Sequence, residues 1–156
     1  MEQFLTQNSE MVLRLVTAVG LGLLVGAERF IVHKDAGMKT HALVSLGSAV
    51  FVLISEALVA RYINLPGLNP TMIPGQIVVG IGFLGAGSIM IYGSQLRGLT
   101  TAGGLWVTAG VGMAAGFGFY SLAFVVTLLV LSILILINII ERPIRRISEE
   151  IDQSKN

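Results

Sequence analysis

Eight residues capable of polar chemistry stand at the ends of apolar stretches. Glu28 and Arg29 close the first stretch, Lys39, Thr40 and His41 open the second, and Arg97 precedes Thr100 and Thr101 at the start of the fourth. One carboxylate among cations and hydroxyl donors suits recognition of an anionic group. A hard divalent cation that keeps an octahedral shell instead prefers oxygen ligands, with one or two carboxylates and several retained waters. The carboxylates such an ion would have to use are Glu28 and Asp35, and Arg29, Lys34, Lys39 and Arg97 surround them. Such a net-positive surrounding disfavours a bare divalent cation, and no resident cofactor is expected. Ser45 or Ser48 with His41 spells a nucleophile and a base. Offsets of four and seven on one helix nevertheless leave no oxyanion site and no third orienting group, so no enzyme is expected. With no cysteine, thiol chemistry and thiolate metal sites are excluded.

The elements that must hold these residues follow from composition. Hydrophobic residues make up 54% of the 156 residues and charged residues 12%, against about 25% charge in an ordinary soluble domain. The pattern is that of an all-α membrane protein. A net charge of +1 without a basic patch excludes nucleic acid as a partner. Five apolar stretches approach the ~20 residues needed to cross ~30 Å of hydrocarbon: 11–28, 41–59, 73–92, 99–118 and 121–140. A bundle of five transmembrane helices is therefore expected over residues 1–142. The polar, acidic leader MEQFLTQNSE lacks the basic start of a secretory signal, so the first stretch is read as a retained span.

Lysine and arginine set the direction, because basic loops stay in the cytoplasm. Arg29, Lys34, Lys39, Arg97, Arg142, Arg145, Arg146 and Lys155 fall on one side, with only Arg14 and Arg61 on the other. The N-terminus is thus expected outside and the C-terminus in the cytoplasm. Beyond Pro143, Ile144, Ile147 and Ile151 recur at helical spacing among charges, which predicts a short amphipathic cytoplasmic tail over 143–156. Arg14 and Glu28 share a face of the first span but lie about 21 Å apart along it, so each needs another partner.

Glycine is abundant within the spans, where small residues let helices approach closely. Gly22-x-x-x-Gly26 and Gly112-x-x-x-Gly116 predict packing faces, joined by Gly104. Gly80, Gly82 and Gly85 spell a dinucleotide fingerprint in a span that offers no strand, soluble helix or later acid to support one. Gln76, Gly80 and Gly87 instead share one face of the third span while Gly82 and Gly85 lie on the other. Packing on two sides, or a broken helix, is expected there. His41, Ser45, Ser48 and Ser55 form a stripe on the second span, and Thr101, Gly104, Thr108 and Gly112 form one on the fourth. The two stripes are predicted to face each other. Thr100 or Thr101 should cap the fourth helix, and Trp106 should face protein, where its indole N–H can find an acceptor.

The stretches LGLLVGAER (21–29), AGMKTHALVSLG (36–47), QIVVGIGFLGAG (76–87) and RGLTTAGGLWVTAGVG (97–112) resemble the MgtC/SapB family of bacterial inner-membrane proteins. The family pattern is carried at Glu28, Arg29, Thr40, His41, Gln76, Arg97, Thr100, Thr101 and Trp106, together with the span glycines. Lys39 stands where the family more often has Arg, and Val79 where it often has Ser or Thr. The sequence as written resembles a short form without the cytoplasmic C-terminal domain of longer members. The resemblance implies a bacterial inner-membrane location and a link to magnesium homeostasis or growth at low magnesium, with Mg2+ as a ligand or signal rather than a resident cofactor. It also implies a transporter component or a restraint on the membrane ATP synthase. From the residues themselves, a regulator or binding protein is the leading expectation and an ion transporter or channel the alternative. Membrane lipid and a homodimer or larger assembly are the expected partners.

Overall fold

A computed structural model describes the backbone of residues 2–62, 69, 71–93 and 95–153 and the side chains of 8–62, 69, 71–93 and 95–141. Five helices and one hairpin follow one another: α1 (Glu2–Ile31), α2 (Met38–Arg61), α3 (Met72–Gly87), β1 (Met90–Tyr92), β2 (Gln95–Arg97), α4 (Leu99–Gly116) and α5 (Tyr120–Gln153). The described chain is therefore all-helical apart from two three-residue strands. Asn8–Ile31, α2 and Tyr120–Glu141 are each long and apolar enough to cross a membrane. At 16 residues, α3 is an apolar helix about 24 Å long, shorter than a full crossing.

α4 is the centre of the bundle, with ten of its 18 residues buried. α1 and α2 pack on it and on each other, α5 joins α4 and α1, and α3 leans mainly on α4. The core is built from small side chains. Ala18, Ala49, Ala114, Ala115 and Ala123 cluster with Leu21 and Val111, and Ile81, Leu105 and Ala109 form a second group with Ala36. Without a hydrophobic drive between helices in lipid, such close backbone approach supplies the attraction as van der Waals packing.

Helix ends follow local chemistry. α1 stops where His33 adopts a left-handed φ of 55°, with the Lys34 N–H donating back to the Arg29 carbonyl at 3.0 Å. α4 closes the same way through Gly118, φ 77°, with Phe119 N–H on Ala114 O and Gly118 N–H on Ala115 O. This is a Schellman closure, for which a left-handed glycine is the favoured residue.

Five expectations are corrected here. The third span does not run to Tyr92: the helix ends at Gly87, Ser88 Oγ bonds the Gly85 carbonyl, and Met90–Tyr92 pairs antiparallel with Gln95–Arg97. An apolar run reports burial or lipid contact, whereas the turn at Gly93, φ 61°, redirects the chain into strand pairing. α3 is an unbroken helix packed on one side only. Ile81 and Gly85 are buried, Gly85 lies against Ala102, and Gly80, Gly82 and Gly87 meet nothing within 4 Å. Neither Thr100 nor Thr101 caps α4, because the cap is Gly98, φ 91°, which has no side chain to offer. Trp106 is 54% exposed, since about 200° of helical rotation from Thr108 turns it away from the stripe that faces α2. Finally, no separate helix follows Pro143, as α5 continues to Gln153. A proline removes one backbone donor but need not end a helix whose other hydrogen bonds persist.

Candidate functional site

The predicted stripes of α2 and α4 meet at backbone contact. A Cβ placed on Gly112 would lie 2.1 Å from the Ser45 carbonyl oxygen, and one on Gly116 would lie 2.9 Å from Ala49 Cα. On the other side of α2, a Cβ on Gly22 would meet the His41 carbonyl at 2.7 Å, and one on Gly26 would meet Met38 Cα at 2.6 Å. α2 is thus clamped between glycine faces of α1 and α4. The stripe hydroxyls largely turn back to their own helices: Ser48 Oγ donates to Val44 O at 2.9 Å and Thr108 Oγ1 to Gly104 O at 2.8 Å.

Around the start of α2 the predicted constellation divides into two parts. The first is internal. Arg29 is 2% exposed and Glu28 9%, and their side chains form an ion pair through Arg29 Nε and Glu28 Oε2. Asn138 of α5 donates its amide to Glu28 Oε1 at 3.4 Å. His41, fully buried, donates from Nδ1 to the Gly37 carbonyl at 3.0 Å and lies within electrostatic reach of both charges. Its Nε2, directed toward Gly104, has no hydrogen-bond partner among the described residues, and neither has the buried Ser45 hydroxyl. His41 and Ser45 are therefore not joined as base and nucleophile.

The second part is an open cleft of about 640 Å³ lined by Asp35, Thr40, Thr101, Arg97, Tyr92 and apolar neighbours from α2, α3 and α4. Arg97 lies with its guanidinium 5.5 Å from the Tyr92 ring centroid. Thr101 is 3% exposed, and its hydroxyl has no hydrogen bond among the described residues. Exposed Lys39 and Thr100 do not line this cleft, and Gln76 lies further along, in a second cleft between α2 and α3. Glu28 and Asp35 are not brought into one ligand set. Among the described residues, no three acidic, histidine or cysteine groups converge as metal ligands would.

At the other end of the helices, Arg14 finds the partner its depth requires. It donates to Glu56 Oε2 at 2.7 Å, to Glu10 Oε1 at 2.6 Å and to the Gly116 carbonyl at 3.0 Å. Asn138 is the site residue that sequence reasoning passes over. Its only signal is a lone amide at the end of an otherwise apolar span, and its partner is 110 residues away.

A model of the MgtC family matches residues 15–143. The Escherichia coli (strain K12) protein named "Putative magnesium transporter YhiD" is 42% identical over 131 residues, covering 81% of this chain and 61% of that protein. "Protein MgtC" of Salmonella typhimurium (strain LT2) is 45% identical over 120 residues, 77% of this chain and 49% of that protein. "Protein MgtC" of Brucella abortus (strain 2308) is 40% identical over 135 residues, 86% and 52% respectively. The chain spans about half to three-fifths of the length of these curated relatives. No solved structure matches it. A buried Glu28–Arg29 pair at the end of α1, a glycine-clamped α2 and a family match across most of the sequence lead to one conclusion: the chain belongs to the MgtC family.

Proposed function

We propose that this chain is a non-enzymatic, multi-pass protein of the bacterial inner membrane that serves magnesium homeostasis or growth at low magnesium. It acts as a regulator or binding protein through the polar site at the loop end of α1, α2 and α4. The N-terminus lies outside and the loop end faces the cytoplasm. The observation that carries this reading is the direct backbone contact of the α2 and α4 stripes, which leaves no lumen between them at Ser45 and Ala49. The cleft beside Arg97 and Thr101 is walled by residues of α2, α3, α4 and the hairpin, and its cationic and hydroxyl donors suit an anionic group better than a bare cation.

Transport of magnesium is the second reading, favoured by the name of the Escherichia coli relative. In a chain packed this closely, a path would have to run between copies or alongside a partner protein such as the membrane ATP synthase. Homo-oligomerisation, itself part of this proposal, is compatible with either reading.

The decisive experiment is complementation of low-magnesium growth in a strain lacking the protein. Glu28→Gln keeps the side-chain size but removes the charge opposite Arg29, so growth should be lost while the protein still inserts in the membrane. Full growth with this variant would reduce the pair to a structural role. Reconstituted vesicles separate the two readings, because Mg2+ flux above empty liposomes would favour transport.

A further inference from the structure

The loop-end cleft does not stop at Arg97. Val44 and Leu84 line both it and a second cleft of about 570 Å³ between α2 and α3, so the two clefts adjoin along α2 and are treated together as a groove. The ends of the groove differ in chemistry. At one end stand Arg97, Thr40 and Thr101, and at the other stand Leu43, Phe51, Ile73, Ile77 and Ile81. Ser48 and Gln76 also touch the apolar end; the Ser48 hydroxyl is already donated to Val44 O, and Gln76 is a neutral amide among apolar neighbours.

Three observations define what fits the polar end. The first turn of α4 carries N–H groups that no intrahelical carbonyl can accept, and Gly98 provides no capping side chain. That turn favours an anion through its N–H groups and dipole. The nearly buried Thr101 hydroxyl faces the cleft with no partner, and Arg97 has no carboxylate partner among the described residues. Asp35 also lines this cleft and opposes an anion, so Arg97, the hydroxyls of Thr40 and Thr101 and the start of α4 must outweigh one carboxylate. The apolar end then excludes a small soluble anion as the whole occupant. From Thr40 to Phe51 the groove follows α2 for about 17 Å, close to half of a ~30 Å hydrocarbon core and hence to the depth of one leaflet.

We propose that this groove binds one anionic glycerophospholipid of the adjacent leaflet. The phosphate sits against Arg97, Thr101 and the start of α4, and an acyl chain lies along the α2–α3 seam. This rests on the reading that the loop-end site recognises an anionic group, and it names that group as a lipid headgroup.

The test uses the full chain purified in detergent and exposed to phosphatidylglycerol, phosphatidylcholine or sn-glycerol 3-phosphate, with binding read by native mass spectrometry. Phosphatidylglycerol should be retained selectively. Arg97→Gln should weaken its binding roughly tenfold or more, as expected for loss of a hydrogen bond to a charged group, while Arg97→Lys keeps most of it. Gly80→Leu should also weaken binding, because Gly80 lines the apolar end and an added side chain there meets nothing within 4 Å. That variant tests the groove without disturbing the helix packing. Asp35→Asn should strengthen retention.

Equal retention of phosphatidylcholine, unchanged binding in both Arg97→Gln and Gly80→Leu, or a soluble phosphate that binds as well as the lipid would each overturn the proposal. So would a disulfide linking two copies through Gly80→Cys, which would mean that a second chain fills the groove. If lipid selectivity fails while Arg97→Gln still abolishes low-magnesium growth, the lipid assignment falls and the functional reading stands. If selectivity holds while Arg97→Gln grows normally, the functional reading falls.

Discussion

Gly112→Ala tests the packing on which both the fold and the functional reading depend. The added Cβ would lie 2.1 Å from the Ser45 carbonyl oxygen and 2.7 Å from Ser45 C and Cα, against a floor near 3.0 Å for real Cβ contacts. All three atoms are backbone, so no side chain can swing aside, and α2 or α4 must move by about 0.9 Å along the contact. α2 cannot simply retreat, because Gly22 and Gly26 of α1 hold its other face at similar distances. Overpacking of this kind costs about 1–3 kcal/mol, which lowers the folding equilibrium constant roughly five- to 150-fold. The control is Gly110→Ala, two residues away on the same helix, where a Cβ meets nothing within 4 Å. There the smaller backbone entropy of alanine should be neutral or stabilising by up to about 1 kcal/mol. Both variants can be compared by reversible unfolding of the purified protein in mixed micelles, read from the single tryptophan, Trp106. Equal stability of the two variants would falsify the close α2–α4 contact and reopen a path between the stripes.

Other substitutions probe the ends of the helices. Gly98→Ala would place a Cβ 1.9 Å from the Ser88 carbonyl oxygen at a φ of 91°. It should therefore uncouple the hairpin from α4 and lower the melting temperature more than Gly103→Ala, where the space is open. His33→Gly relieves a left-handed residue that costs roughly 1 kcal/mol outside glycine, so a modest rise in stability is expected, and a fall would contradict the left-handed end of α1. A double-mutant cycle on Arg14→Ala and Glu56→Gln should return a coupling of about 1 kcal/mol, reduced by the partial exposure of Glu56. Zero coupling in native lipid would show that Arg14 is held by Glu10 and the Gly116 carbonyl alone.

Much of the architecture was legible along the chain because lipid and helix geometry act locally. Apolar length located α1, α2, α4 and α5 to within a few residues at most of their boundaries, aside from the longer ends of α1 and α5. The 3.6-residue period put His41, Ser45 and Ser48 on one buried face of α2 and Thr101, Thr108 and Gly112 on one buried face of α4. The requirement that a charge at depth be paired predicted that Arg14 needed a partner other than Glu28 without saying which one. The β1–β2 hairpin escaped this reading because MIY is as apolar as any span segment. Only its pairing with Gln95–Arg97, set by the turn through Gly93, distinguishes it from a helix.

Residue types and spacing alone determined a helical, family-recognisable chain with most of its basic groups gathered near one set of loops. Tertiary structure decided how those groups divide. Packing of α1, α2 and α5 buries Glu28 and Arg29 with Asn138, while the hairpin carries Arg97 to an open groove beside Thr40 and Thr101. Periodicity assigns a residue to a face of its own helix, but which face meets another helix depends on how closely two backbones approach. Here the glycines of α1 and α4 set that distance, and a few ångströms separate a sealed ion pair from an open binding surface.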